Sequence, residues 1–199
     1  MSLLSGQRVL VVDTETTGWN PFEGHALVEV ATVVVSNAAF GEDWSSLVRP
    51  GRAIPADAST IHGITDAMVA DAPPPAQVAA ELRRRCGDSP LVFHNAPFDL
   101  PFLIALLRQA GQPPLLSPVI DTLGLARGLG EPGGNSLGAL ATRLGLPRET
   151  QHRALGDART TARLFLALCG RWEAERGVRT LSELAAASQD VMRQTAAAR

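Results

Sequence analysis

The chain has 199 residues, 45% of them hydrophobic and 19% charged, a formal net charge of −2, and arginine without a single lysine. That length suits one domain with a small extension; the missing lysine excludes a Walker-A phosphate loop and argues against a general basic surface that coats long duplex. No apolar run approaches a membrane span, the opening MSLLSGQR lacks the basic-then-apolar pattern of a secretory signal, and Cys86 and Cys169 read as buried reduced thiols, so a cytoplasmic protein with no membrane partner is expected.

Residues 7–13 (QRVLVVD) have the aliphatic run of a central strand buried on both faces. A second β-branched run covers 26–36, and a third strand is expected at 44–49. The Pro-, Ala- and Asp-rich segment 50–75 holds IHGIT (61–65) and leads to a helix at 76–86 and a short strand at 91–94. A longer helix over 98–110 stops near Gly111 and Pro113, and VIDT at 119–122 is a fifth strand running into a short helix. GLGEPGGNS (128–136) reads as a flexible loop, followed by helices at 137–144 and 154–174. From residue 178 a new helix is expected: Thr180 and Glu183 form a capping box, with an apolar face of Leu181, Leu184, Ala185, Val191 and Met192. Its apolar face packs on its own domain or on a partner. Three strands, then helices interleaved with two more, predict a mixed α/β sheet. The chain therefore divides into a domain over 1–175 and a C-terminal amphipathic helix appendage over 176–199.

The first strand ends in an unusual way. Asp13 and Glu15 are two apart, so on a strand they share a face, roughly 6.5–7 Å apart along the backbone. Two like charges held together raise each other's pKa, and a positive group is expected between them. Other chemistry-bearing residues are Asp99 in HNAPFD (94–99), and His152 and Asp157 in HRALGD (152–157). Each has a plainer reading. Asp99 suits a helix N-cap, Asp157 a helix N-terminus, and Phe98 shares helical spacing with Phe102 and suits core packing. Glu29 and Asp121 read as strand acids hydrogen-bonded locally. Arg153, Arg159 and Arg163 read as a solvated face, with phosphate contact the alternative. No His/Cys cluster has zinc spacing.

Together DTETTG, HNAPFD and HRALGD, in this order over about residues 7–170, resemble the DnaQ-like (DEDDh) family of 3′–5′ exonucleases. The resemblance implies a ribonuclease-H-like α/β fold with a central mixed five-stranded sheet flanked by helices. It implies two divalent cations, Mg²⁺ or Mn²⁺, held by Asp13, Glu15, Asp99 and Asp157, with His152 as the general base. It places Thr14, His62, Asn95 and Phe98 against the terminal nucleotide, Phe98 as a wedge beside a base. The implied reaction releases nucleoside 5′-monophosphates from single-stranded 3′ ends, DNA favoured and RNA possible, in proofreading or repair. An RNA 3′-end trimming enzyme shares these residues, and a non-catalytic strand-end adaptor is the reading from a different class. A polymerase partner is possible. The tail lacks a clamp-binding pattern and is short for a polymerase tether, which favours a free-standing enzyme.

Overall fold

The computed structural model describes residues 3–147 and 149–197. In chain order it contains β1 (Arg8–Thr16), a 3-10 turn (Pro21–Glu23), β2 (Leu27–Ser36), β3 (Ala39–Leu47), α1 (Ala56–His62), α2 (Asp66–Val69), α3 (Pro75–Cys86), β4 (Leu91–Phe93), α4 (Ala96–Gln109), β5 (Val119–Asp121), α5 (Thr122–Gly128), α6 (Leu137–Arg143), α7 (Ala154–Arg176) and α8 (Leu181–Ala197). The five strands form one mixed sheet in the order β3-β2-β1-β4-β5. β1, β2 and β3 pair antiparallel, and β1, β4 and β5 pair parallel.

Alternation along β1 builds the layers. Val9 and Val11 point to the side covered by α5, α6, α7 and α8, in a cluster with Phe165, Leu168 and Leu184. Leu10 and Val12 point to the opposite side, among Leu82, Phe93, Leu103 and Leu107 of α3, β4 and α4. Both faces of β1 are thus buried, which is why its sequence is a continuous aliphatic run rather than an alternating one.

Three boundaries differ from the sequence expectation. β1 continues to Thr16, so both acids lie within the strand. β3 starts at Ala39, five residues early, because the chain reverses through Asn37 and Ala38, both at positive φ (52° and 60°). Hairpin turns of that hand normally advertise themselves with glycine; Asn-Ala does not. The 128–136 segment is also not a loose loop. Its first residue ends α5, Arg143 donates to the Gly134 carbonyl (2.8 Å), Glu131 is held by Arg143 and Arg171, and His94 Nε2 lies 3.1 Å from the Asn135 carbonyl.

Cys86 and Cys169 are buried and unpaired, and burial pushes the Cys86 thiol up to about 11. The capping box forms at the start of α8, where the Glu183 amide donates to Thr180 Oγ1 (3.1 Å) and the Thr180 amide to Glu183 Oε2 (3.2 Å). Among the described residues no helix is long and apolar enough to cross a membrane.

Candidate active site

β4 ends at Phe93 and meets β1 only at Leu10 and Val11, so β1 runs past it with Asp13, Thr14 and Glu15. The ends of two parallel strands leave a crevice there, the usual ligand position in open α/β sheets. On the other side of β1 the register with β2 shifts between Glu15 and Thr16. An irregularity of this kind bends the strand and turns the chain into the 17–25 loop.

The same alternation that sorts the core sorts the acids. Asp13 and Glu15 have the parity of Val9 and Val11 and face α7. There one carboxylate oxygen each from Asp13, Glu15 and Asp157 lies within 4.8 Å of the others. Thr14 has the opposite parity and faces α4. Its hydroxyl donates to Asp99 Oδ1 at 2.6 Å, both groups buried. Asp99 therefore approaches from the other layer of the sandwich. It is no N-cap: Asn95 holds that position, and Asp99 is the fourth residue of α4.

The electrostatics are those of an uncompensated acid cluster. Burial, then the charges of Asp99, Asp157 and Glu15, hold Asp13 well above the ordinary carboxylate range. Burial and the charges of Asp157, Glu29 and Asp99 push Glu15 up to about 8, against a weaker opposing effect of Arg153. Burial raises Asp99 to about 7 despite its hydrogen bonds from Thr14. Hard carboxylate oxygens converging in this way fit Mg²⁺ or Mn²⁺ and not a thiolate-preferring metal.

His152 stands at the rim of the site, exposed, in the left-handed region (φ 57°). Its amide donates to Asp157 Oδ2 at 2.8 Å, so the residue before α7 and the first turn of α7 are held together. Gly156 makes this fold-back possible, since a Cβ there would sit 2.2 Å from the Thr150 carbonyl oxygen.

Beside the acids lies a cleft of about 490 Å³ whose lining includes Glu15, Thr16, Trp19, His62, Phe98 and His152. His62 is buried. Its Nδ1 accepts from the Ile64 amide at 3.0 Å, and burial lowers its pKa. The half-buried Phe98 meets Trp19 edge-on at 5.8 Å and Phe102 at 5.7 Å, so it belongs both to the cleft wall and to the core. Two residues expected against the nucleotide do not line this cleft. The Thr14 hydroxyl is occupied by Asp99, and Asn95 lies outside this cleft, in a groove with Arg127 and Met192.

Four residues stand out that the sequence reading passed over or misjudged. Trp19 is 80% exposed at the cleft mouth, and an aromatic in the turn directly after ETTG was the available signal. His25 packs its ring on Gly18, where a Cβ would lie 2.2 Å from the ring, and thereby supports the Trp19 turn. Glu29 is not locally bonded, and Asp121 is bonded locally only in part. Glu29 binds Arg153 and the Ala154 amide, and Asp121 accepts from the Asn95 and Ala96 amides as well as from Leu123. The three arginines of 153–163 are partly solvated but each is ion-paired: Arg153 with Glu29, Arg159 with Asp43, and Arg163 with Glu149.

Residues 10–165 match the RNase_T exonuclease family. The chain is 44% identical over 176 residues to a DNA polymerase III subunit epsilon-like protein of Rhodobacter capsulatus, covering 86% of this chain but only 25% of that longer protein. It is 36% identical over 173 residues to DNA polymerase III subunit epsilon of Pasteurella multocida, covering 82% of this chain and 68% of that one. Among solved structures it resembles Exonuclease X in complex with 5′ overhanging duplex DNA (TM-score 0.71, 31% identity, 90% of this chain and 99% of that chain). It also shares its fold with the nuclease domain of 3′hExo, a DEDDh family member bound to rAMP (TM-score 0.72, 18% identity, 86% and 95%). A mixed sheet ending in a carboxylate cluster, with this family's match over most of the chain, leads to one conclusion: the chain belongs to the DnaQ-like family of 3′–5′ exonucleases, on a ribonuclease-H-like fold.

Proposed function

We propose that the protein hydrolyses the terminal phosphodiester at single-stranded 3′ ends, DNA in preference to RNA, and releases nucleoside 5′-monophosphates. The observation that carries this reading is the meeting of Asp13, Glu15 and Asp157 beside a cleft that also holds His152. Asp13, Glu15, Asp99 and Asp157 would hold two divalent cations, Mg²⁺ or Mn²⁺, which neutralise charge on the entering and leaving oxygens of an in-line displacement. His152 takes the proton from the attacking water, a task suited to an imidazole at neutral pH. Trp19 and Phe98 offer faces to the last bases, His62 closes the nucleotide pocket behind them, and Thr14 orients Asp99. Asn95 acts through its backbone at the start of α4.

Residues 1–175 are assigned to the nuclease unit and 176–199 to a C-terminal helix that packs into the same core. The likeness to epsilon subunits supports a polymerase as a partner of a cytoplasmic enzyme. The test is degradation of 5′-labelled single-stranded DNA and RNA of matched sequence with Mg²⁺ or Mn²⁺, beside His152→Ala. The expected result is a ladder shortening from the 3′ end, faster on DNA, and lost in the variant and in chelator. A faster RNA ladder selects the trimming reading. No cleavage by a folded, metal-loaded protein overturns the enzyme reading in favour of an adaptor.

Two further expectations follow from the cleft. Stacking one base on an aromatic side chain is worth ~1–3 kcal/mol, so Trp19→Ala should raise KM by roughly 5- to 150-fold while changing kcat much less. Steady-state kinetics on a short oligonucleotide check this, and an unchanged KM removes Trp19 from the binding surface. The second concerns pH. Glu15 goes from an ordinary 4.5 to about 8 on folding. Between those values the unfolded chain has lost a proton that the folded chain keeps, so metal-free stability falls as pH rises through that window. Buried His94, pulled down to about 4, acts with the opposite sign between about 4 and 6.5. The clean readout is therefore the rise in melting temperature on adding Mn²⁺, which should grow steadily from pH 5 to pH 8. A rise independent of pH would show that the metal does not displace these protons.

A further inference from the structure

Glu29 sits on β2 directly across the antiparallel register from Glu15 and is buried. Its neighbours in that corner are the acids already described, so another carboxylate is the costliest side chain to place there. Its oxygens are nevertheless committed to one short segment. Oε1 accepts from Arg153 Nη2 at 2.7 Å; Oε2 accepts from Arg153 Nε at 3.1 Å and from the Ala154 amide at 2.9 Å. Arg153 occupies the N-cap position of α7 and supplies no side-chain cap. The cap comes instead from a strand 125 residues away. The Arg153 side chain is 43% exposed, and an ion pair open to solvent on one side contributes little to stability, so stability alone does not account for this one. What it fixes is geometry. The segment begins immediately after His152, which is held at positive φ with its amide on Asp157.

We propose that Glu29 is a positioning residue for the hydrolysis. Through a forked bond to Arg153 and a bond to the Ala154 amide, it locks the start of α7 at the height on the sheet where Asp157 meets Asp13 and Glu15 and His152 stands at the rim of the cleft. This rests on the reading of His152 as the general base. It acts from β2, touches neither substrate nor metal, and couples the sheet that carries two of the acids to the helix that carries the third.

The test compares Glu29→Gln, Glu29→Ala, Arg153→Gln and the Glu29→Gln/Arg153→Gln double variant with wild type and His152→Ala on a 5′-labelled single-stranded DNA oligonucleotide. Glu29→Gln keeps the volume and one acceptor, and so remains informative where Glu29→Ala fails to fold. Supporting groups behind an active site typically contribute about 10- to 100-fold. The expected result is a loss of that size in kcat for folded Glu29→Gln, with KM within about two-fold of wild type and the double variant no worse than the worse single. The pH–rate profile should lose its inflection in the histidine range, as in His152→Ala. Hydrogen exchange of the 152–157 segment in the metal-free variant should speed up by about tenfold or more, with β1 still protected. A folded Glu29→Gln with wild-type kcat, or a loss of kcat that keeps both the inflection and the protection of 152–157, overturns the proposal. An active His152→Ala instead overturns the general-base reading on which it rests.

Discussion

Asp13→Asn is expected to abolish turnover while leaving the protein folded, and in the absence of metal to make it more stable. Asp13 is the most crowded group of the site: burial, then the charges of Asp99, Asp157, Glu15 and Glu29, raise its pKa well above the ordinary carboxylate range. An asparagine has nearly the same volume and no charge, so the fold loses a repulsion rather than a contact. The proposed metal-binding cluster, by contrast, would lose one of its carboxylates. If the cations supply several kcal/mol to the transition state, a loss on the order of 10³-fold or more follows, since each 1.36 kcal/mol is tenfold. Calorimetric titration with Mn²⁺ and single-turnover rates measure the two halves separately. Unchanged turnover would end the assignment of these acids to a metal site. A metal-free Asp13→Asn that melts well below wild type would mean that Asp13 serves the fold.

The second large effect is expected at the C-terminus. Removing residues 178–199 should leave a chain that does not fold stably, although the segment looks like an appendage when read along the sequence. Leu181, Leu184 and Ala185 of α8 lie in the same buried cluster as Ile120, Leu125 and Trp172. α8 also satisfies the outer edge of β5: Ser188 Oγ accepts from the Asp121 amide at 3.1 Å, and Gln189 Nε2 donates to the Val119 carbonyl at 3.3 Å. An uncovered edge strand invites unwanted pairing, and here a helix covers it. The approach is close enough that a Cβ on Gly124 would lie 2.3 Å from the Ser188 carbonyl oxygen. Because the obstacle is backbone, Gly124→Ala has no rotamer escape.

The milder probe is Leu184→Ala. A fully buried leucine truncated in this way costs ~2–5 kcal/mol, against a total stability of about 5–15 kcal/mol for a domain. In a chain of this size that lowers the melting temperature by roughly 5–20 °C. The effect should reach the active site, because Asp121 also anchors the Asn95 and Ala96 amides at the start of the helix that carries Asp99. Differential scanning calorimetry of the truncated chain and of Leu184→Ala decides it. A truncated chain with an unchanged melting temperature and activity would make α8 dispensable.

The five strands, the helices from α3 onward, the capping box of α8 and the three acidic motifs were legible because each rests on local chemistry, whereas α1 and α2 lay hidden in the Pro-rich 50–75 segment. Burial on both faces makes β1 a continuous aliphatic run, and a spacing of two puts Asp13 and Glu15 on one face. The hairpin between β2 and β3 was less legible, since Asn37 and Ala38 adopt its turn without the expected glycine. Trp19 was marked only by its place in the turn directly after ETTG; its exposure at the cleft mouth came from the fold.

Glu29, Asp121 and the arginines of α7 mark where local reading stops. A strand acid next to aliphatics looks like a nuisance to be satisfied nearby, and Arg153, Arg159 and Arg163 look like a polar helix face. Their partners lie far away in the chain: Glu29 for Arg153, Asp43 for Arg159, and the Asn95 and Ala96 amides for Asp121. By itself the sequence determined the strands, the family motifs and the side of β1 on which each acid stands, because dihedral alternation needs no knowledge of the rest of the fold. Only the tertiary structure decided that Asp99 arrives from the opposite layer through Thr14, that Glu29 caps α7, and that α8 covers the edge of β5. Those contacts depend on which surfaces meet when the helices pack, and no residue pattern along the chain encodes the meeting.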